Sequence, residues 1–77
     1  MIVCKAEHFG AAIRRLRIEK EYSQDVLSGL AGIARSHLSA IETGKKMPNM
    51  DTLCHIADAL EITPSELMKQ VEADARG

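Results

Sequence analysis

Aromatic residues are scarce in this sequence, which has one Phe, one Tyr and no Trp among 77 residues. Because 45% of the residues are still hydrophobic, the core must be mainly aliphatic, which suits a small bundle of helices. The two cysteines, Cys4 and Cys54, are too few for a disulfide framework. A secretory signal and an apolar run of about 18 residues are absent as well. These absences predict one cytoplasmic domain with no membrane contact.

A strong charge of either sign is also missing, since the net charge is −1. This argues against a protein whose affinity rests on general basicity. The charges are unevenly distributed, however: residues 1–50 hold eight Lys and Arg against five Asp and Glu, whereas residues 51–77 hold two against six. A mildly basic N-terminal part and an acidic C-terminal part suit a module that presents one face to phosphate.

Little in the sequence could support catalysis or hold a metal ion. The pairs worth considering are Cys54 with His55, and Cys4 with His8. Without a C-x-x-C spacing, a zinc site would need four ligands from separate helices. Consecutive helical residues point about 100° apart, which argues against a Cys–His nucleophile pair. With no glycine-rich phosphate loop and no second domain, we predict no enzymatic activity, metal, cofactor or small-molecule ligand.

The region from Ser23 to Gly44 has the pattern of two short helices joined by a tight turn. Ser23 is a good N-cap because its hydroxyl can accept from a free N–H at the start of a helix. Apolar residues then recur at helical spacing up to Ala31. Gly32 predicts the end of this helix, because glycine takes the left-handed conformation without steric cost. A second helix is predicted for residues 34–43, and Gly44 ends it.

This second helix has two chemically different sides. At 100° per residue, Ala34, Leu38 and Ile41 fall on one side. The other side carries small and hydroxylic residues, namely Ser36, Ser39, Ala40 and Thr43, with Arg35 at its exposed N-terminal end. A helix that lies in the major groove of DNA needs slim side chains with donors and acceptors, and no carboxylate facing phosphate. The composition of this side therefore favours DNA binding.

Residues 9–68 resemble the lambda repressor/Cro (Xre) family of helix-turn-helix proteins. The matching positions are Ser23, Gln24, Leu27, Ala31, Gly32, Ile33, Leu38, Ser39, Ile41, Glu42 and Gly44, with Ile13, Leu16, Arg17, Pro48, Leu53, Ala57 and Leu60 on either side. Ala34 departs from the family pattern, which has a capping Ser there. The resemblance implies an all-α fold, a compact bundle of about five short helices, and a transcriptional regulator that binds double-stranded DNA.

The helix-turn-helix domain is predicted for residues 7–72, with the helix-turn-helix unit at about 23–44 and the recognition helix at about 34–43. Residues 1–6 form either an N-terminal arm or a first helical turn, and residues 73–77 are expected to be a flexible tail. Asn49 can cap the fourth helix, and the run from Thr63 to Glu66 is a capping box with proline at the first helical position.

The resemblance also implies roles for individual side chains. The DNA-binding residues that it implies are Gln24, Arg35, Ser36, His37, Ser39, Thr43, Lys45 and Lys46. Arg35 and Ser36 match positions that read base edges, and Gln24 matches a phosphate anchor. His37 could contact phosphate or be a packing residue. Arg17 and Glu42 match a structural ion pair that locks the first helix to the recognition helix; otherwise each would be solvated.

Two functional hypotheses follow. In the first, a homodimer places two recognition helices about 34 Å apart on an inverted repeat. The residues expected at the dimer interface are Met50, Cys54, Ile62, Met68 and Val71. Lone domains of this kind in the family resemble restriction-modification controller proteins, small phage or plasmid repressors, and antitoxins. In the second, the same fold is a protein-interaction module, such as an antitoxin that binds a toxin through Val26, Leu30 or the C-terminal helix.

Overall fold

The computed structural model describes residues 2–77, which form five α-helices and no strand. The helices are α1 (Ala6–Glu19), α2 (Gln24–Ala31), α3 (Arg35–Glu42), α4 (Met50–Ala59) and α5 (Pro64–Arg76). The predicted all-α fold with five short helices is therefore confirmed. Within residues 2–77, no helix combines the length and the apolar character needed to cross a membrane.

Side-chain oxygens cap three of these helices. Ser23, Asn49 and Thr63 each accept the backbone N–H three residues further on, at 3.0, 2.8 and 3.1 Å. Each bond satisfies an amide that has no partner within its own helix. Ala34, which precedes α3, offers only a methyl group at the same position. α3 is therefore held by packing rather than by a side-chain cap of its own.

A single aliphatic core joins the five helices. α1 packs on α3 and α5, α2 packs on α3 and α4, and α4 packs on α5. The one phenylalanine, Phe9, is 7% exposed. The largest fully buried side chains are Ile13, Leu27, Leu38, Ile41, Ile56, Leu60, Leu67 and Val71. Each of the five helices contributes at least one of these side chains. Displacement of any helix would therefore disrupt the packing of the core.

A close backbone approach in the core involves Gly10 of α1. A Cβ atom at this position would lie 2.3 Å from the carbonyl oxygen of Ile41 and 2.7 Å from that of Glu42. Both carbonyls belong to the last turn of α3. Only glycine permits this approach, so Gly10 allows α3 to pack this closely on α1.

The structure differs from the predictions at the C-terminus. The sequence predicts a flexible tail at residues 73–77, whereas α5 continues to Arg76. Asp74 forms an ion pair with Arg15 of α1, and Gln70 accepts from the same guanidinium at 3.0 Å. These contacts hold the last turns of α5 against α1. The assignment of Val71 to the dimer interface is wrong, because its side chain is fully buried in the core.

Candidate nucleic-acid interface

The turn between α2 and α3 is built around Gly32. Its φ of +71° lies in the left-handed region, and the N–H of Ile33 donates to the carbonyl of Ser28 at 3.0 Å. This pattern satisfies a carbonyl that the end of a helix would otherwise leave free. Three residues therefore suffice to separate α2 from α3, which fixes the crossing of the two helices.

The two sides of α3 are separated as the sequence predicts. Leu38 and Ile41 are fully buried. Ser36 is exposed and Ser39 is half-buried, while the side chain of Arg35 is 65% exposed. The apolar side thus holds the helix in the domain, and the slender polar side is accessible from outside.

The predicted ion pair between Arg17 and Glu42 is present. Arg17 donates from Nε to one carboxylate oxygen at 2.7 Å and from Nη2 to the other at 3.0 Å. Its Nη1 donates to the carbonyl of Tyr22 at 2.8 Å. The side chains of Arg17 and Glu42 are 12% and 2% exposed. The hydrogen bond to Glu42 raises the pKa of the Arg17 guanidinium, against the opposite effect of desolvation.

Gln24 is connected to this ion pair. Its Nε2 donates to Glu42 Oε1 at 3.1 Å, so one of its two amide N–H bonds is already used inside the protein. The second N–H, and the free backbone N–H at the start of α2, are the donors that remain for an external acceptor. Sequence reasoning proposed Gln24 as a phosphate anchor and did not foresee this internal contact.

A shallow depression lies where the start of α2 meets α3. Its volume is ≈ 270 Å³, and it is lined by Gln24, Arg35, Ser36 and Ser39. The lining offers an amide, a guanidinium and two hydroxyls, which together can donate to and accept from a base edge. Four of the predicted DNA-binding residues are therefore neighbours in space.

Thr43 and His37 offer fewer free donors than the other predicted DNA-binding residues, although Thr43 is exposed. The Thr43 hydroxyl donates to the carbonyls of Ser39 and Ala40 at 3.0 and 3.2 Å, so it is left as an acceptor toward solvent. His37 is half-buried. The structure therefore places His37 on α3 and Thr43 directly after its last residue, and neither has the exposure and the terminal donors of Arg35 together.

Two lysines, Lys45 and Lys46, come just after Gly44 in the loop that follows α3. Gly44 has a φ of +79°, and the backbone N–H groups of Lys45 and Lys46 donate to the carbonyl of Ala40 at 2.9 and 3.2 Å. The two side chains are exposed and form no ion pair within residues 2–77. Their backbone is fixed while their ammonium groups remain available to an anion.

Asp25 was missed by sequence reasoning. It lies in the first turn of α2, and its Oδ1 is 3.5 Å from Nε of Arg35. The outward side of α3 itself carries no carboxylate, so Asp25 of α2 brings a negative charge to its N-terminal end. The ten-residue spacing between the two residues was visible in the sequence, but only the crossing of α2 and α3 brings them together.

The residues proposed for a dimer interface, apart from Val71, lie at or near the protein surface. Met50 is 63% exposed. Ile62 and Met68 are partly buried against the core, and Cys54 is half-buried. In residues 2–77, no three His, Cys, Asp or Glu side chains are grouped to hold a metal ion.

This arrangement of α2 and α3 defines a helix-turn-helix unit, and comparison with known proteins agrees with it. Residues 10–73 match the helix-turn-helix domain family, and the chain belongs to that family. The HTH-type transcriptional regulator y4dL of Sinorhizobium fredii is 34% identical in an alignment of 71 positions that covers 87% of this chain. The chain spans only 36% of the length of y4dL.

Solved structures of similar proteins share the fold. The restriction-modification controller protein C.AhdI of Aeromonas hydrophila is 35% identical, with a TM-score of 0.78 over 80% of this chain and 94% of that one. The controller protein C.Esp1396I, solved as a tetramer with its 35 base-pair operator, is 19% identical with a TM-score of 0.86 over 94% of this chain and 95% of that one. The predicted membership of an Xre-like helix-turn-helix group is confirmed.

Proposed function

We propose that this protein is a sequence-specific DNA-binding regulator of transcription that binds an inverted-repeat operator as a homodimer. The observation that carries the proposal is the division of α3, in which Leu38 and Ile41 are fully buried while Arg35 and Ser36 are exposed. Such a helix can enter the major groove with its slim polar side and stay anchored by its apolar side. The likeness to transcriptional regulators and to controller proteins supports this function.

The residues of the interface divide into two roles. Arg35, Ser36 and Ser39 line the depression beside α2 and are proposed to read base edges. Arginine can donate twice to the O6 and N7 atoms of guanine. Lys45 and Lys46, beyond the C-terminus of α3, are proposed to contact phosphates. Contacts of the second kind position the protein, and contacts of the first kind specify the sequence.

A second set of residues is proposed to flank these contacts. Gln24 has one amide N–H and one backbone N–H left for phosphate, at a helix N-terminus where the dipole favours an anion. Thr43 and His37 are proposed to meet the sugar-phosphate backbone at the edges of α3. The helix α5, which carries Glu66, Glu72 and Asp74, packs on α1 and α4, whereas α3 packs on α1 and α2.

Dimerisation is proposed because one short recognition helix makes few base contacts. Met50, Cys54, Ile62 and Met68 are the proposed interface residues, since each keeps apolar surface that the core does not cover. Met68→Glu would place a charge in that interface. We expect this substitution to halve the mass measured by sedimentation and to weaken operator binding, with no loss of helix content by circular dichroism.

The decisive experiment is selection of bound duplexes from a random pool at low salt. A palindromic consensus with half-sites about 34 Å apart, one helical turn, would support sequence-specific binding, dimer symmetry and half-site spacing together. Enrichment of no sequence, or of a consensus without twofold symmetry, would overturn the proposal. A match of the consensus to the region upstream of the protein's own gene would further favour a controller or repressor role.

An alternative function is favoured by the exposed apolar residues of α2. Val26 and Leu30 are 45% and 58% exposed, and Leu30 borders a groove with His55 and Asp58. In the alternative, a partner protein such as a toxin covers this surface. Binding through phosphate contacts weakens steeply with salt because counterions are released. Binding through an apolar protein interface does not, so a salt titration separates the two functions.

A further inference from the structure

The ion pair between Asp25 and Arg35 does little for the stability of the fold. The two side chains are 75% and 65% exposed, and the distance from Nε to Oδ1 is 3.5 Å. Exposed pairs of this kind contribute little because water and salt screen them. The pair nevertheless lies where α2 and α3 meet, at the edge of the depression that Arg35 lines. The pair is therefore placed to affect DNA recognition by Arg35 rather than the stability of the fold.

The geometry of the pair leaves the useful end of Arg35 free. Asp25 approaches the inner nitrogen, Nε. Within residues 2–77, neither Nη1 nor Nη2 of Arg35 has a hydrogen-bond partner. These two terminal nitrogens are a pair of parallel donors that fits O6 and N7 of guanine. A carboxylate near Nε thus attracts the guanidinium toward α2 without occupying the donors that read the base.

The same carboxylate has the opposite effect on contact with the DNA backbone. If Arg35 turned to a phosphate, as in binding to arbitrary sequence, Asp25 would be left without its counterion near a row of negative charges. That repulsion raises the free energy of the non-specific complex. When Arg35 remains between Asp25 and a guanine, the carboxylate stays paired. The free-energy cost of an unpaired Asp25 therefore applies mainly to complexes with DNA that lacks the matching guanine.

We propose that Asp25 is a specificity-determining residue, which positions Arg35 for guanine and penalises binding to DNA that lacks the matching base. The proposal rests on the proposed reading of bases by Arg35. Asp25 itself touches no base in it and acts through Arg35.

The test compares Asp25→Asn with the wild-type protein on two duplexes of equal length, the selected operator and a scrambled sequence. We expect the variant to bind the scrambled duplex more tightly and the operator no more tightly. The ratio of the two affinities should fall about tenfold, comparable to the loss of one base pair's discrimination. Asp25→Ala should lower the ratio as well, and Asp25→Glu, which keeps the charge, should restore most of it.

Asp51→Asn is the matched control. Asp51 lies in the first turn of α4, two residues after the capping Asn49, as Asp25 lies two residues after the capping Ser23. Its carboxylate is 3.7 Å from His55, and within residues 2–77 it pairs with no arginine. Its removal should change the affinity for both duplexes by the same factor. An equal fall of the ratio in both variants would overturn the proposal, because net charge alone would then explain it.

A double-mutant cycle shows whether Asp25 acts through Arg35. In an Arg35→Ala background, Asp25→Asn should leave the affinity ratio unchanged. If the wild type discriminates and Arg35→Ala abolishes the discrimination, but Asp25→Asn keeps the full ratio, the proposal for Asp25 fails alone. If Arg35→Ala keeps the full ratio, the reading of bases by Arg35 fails and the proposal for Asp25 falls with it. Thermal melts by circular dichroism establish that each variant is folded.

Discussion

Arg17 of α1 donates two hydrogen bonds, of 2.7 and 3.0 Å, to the carboxylate of Glu42, the last residue of α3. The same guanidinium holds the carbonyl of Tyr22, just before α2, at 2.8 Å. One side chain therefore connects α1, the start of the helix-turn-helix unit and the end of the recognition helix. Gln24 adds a fourth bond, at 3.1 Å, from α2 to the same carboxylate.

Replacing Glu42 should strongly destabilise the protein. Glu42→Ala leaves the Arg17 guanidinium, whose side chain is 12% exposed, without its carboxylate partner. Breaking a buried pair in this way costs about 3 kcal/mol or more, because the remaining charge stays desolvated. Urea denaturation followed by circular dichroism measures the loss.

Lys20→Ala provides the control for this prediction. Lys20 pairs with Glu61 at 3.1 Å, but the Glu61 side chain is 71% exposed. Loss of such an exposed pair should cost less than about 1 kcal/mol. Equal effects of Glu42→Ala and Lys20→Ala would show that the Arg17–Glu42 pair is not a structural clamp.

Sequence reasoning located this pair but not its surroundings. The positions of Arg17 and Glu42 relative to the helix-turn-helix unit suffice to pair them by resemblance. The helices themselves follow from apolar spacing and from capping residues such as Ser23 and Asn49, which act over three or four residues and are therefore readable from a local pattern. The glycine turn at Gly32 is local in the same sense.

What sequence reasoning missed depends on contacts between helices. Gly10 lies inside a helical pattern, and its role appears only when the carbonyls of α3 are placed beside it. Asp25 meets Arg35 only through the crossing of α2 and α3. Val71 is apolar at a helical spacing that fits either the core or an interface, and packing placed it in the core. Residues 73–76 are helical, and Asp74 in this segment pairs with Arg15 of α1, a contact that no local pattern reveals.

Gly10→Ala should destabilise the protein. The new Cβ would lie 2.3 Å from the Ile41 carbonyl oxygen, so α1 and α3 would have to move apart. Overpacking of this kind costs about 1–3 kcal/mol, and here it also displaces the recognition helix. We expect a lower melting temperature and weaker operator binding in the same variant.

Gly29→Ala is the matched substitution in α2. Among the described residues, no atom of a neighbouring element lies within 4 Å of a Cβ at this exposed helical position. The change should stabilise the protein by roughly 1 kcal/mol, the difference in helix propensity between alanine and glycine, and should leave DNA affinity unchanged. A fall in melting temperature for Gly29→Ala would contradict the placement of this residue in the structure.

Arg35→Ala should reduce affinity for the selected operator far more than affinity for random DNA. Loss of a bidentate contact to guanine removes about 1–3 kcal/mol of discrimination. Fluorescence anisotropy on both duplexes measures the two affinities. Arg14→Ala removes an exposed arginine of α1 and serves as the control, with little change in their ratio. Equal losses on both duplexes for Arg35→Ala would reduce Arg35 to a phosphate contact.

Lys45→Ala combined with Lys46→Ala should change the salt dependence of binding. Each phosphate contact contributes about 0.9 to the slope of log affinity against log salt concentration, so loss of both contacts should reduce the slope by up to about 1.8. Phosphate contacts carry no sequence information, and the preference for the operator over random DNA should therefore survive. Lys69→Ala is the control, since Lys69 is an exposed lysine on α5, and its removal should leave the slope unchanged. The two lysines after α3 lie outside the interface if their joint removal also leaves the slope at its wild-type value.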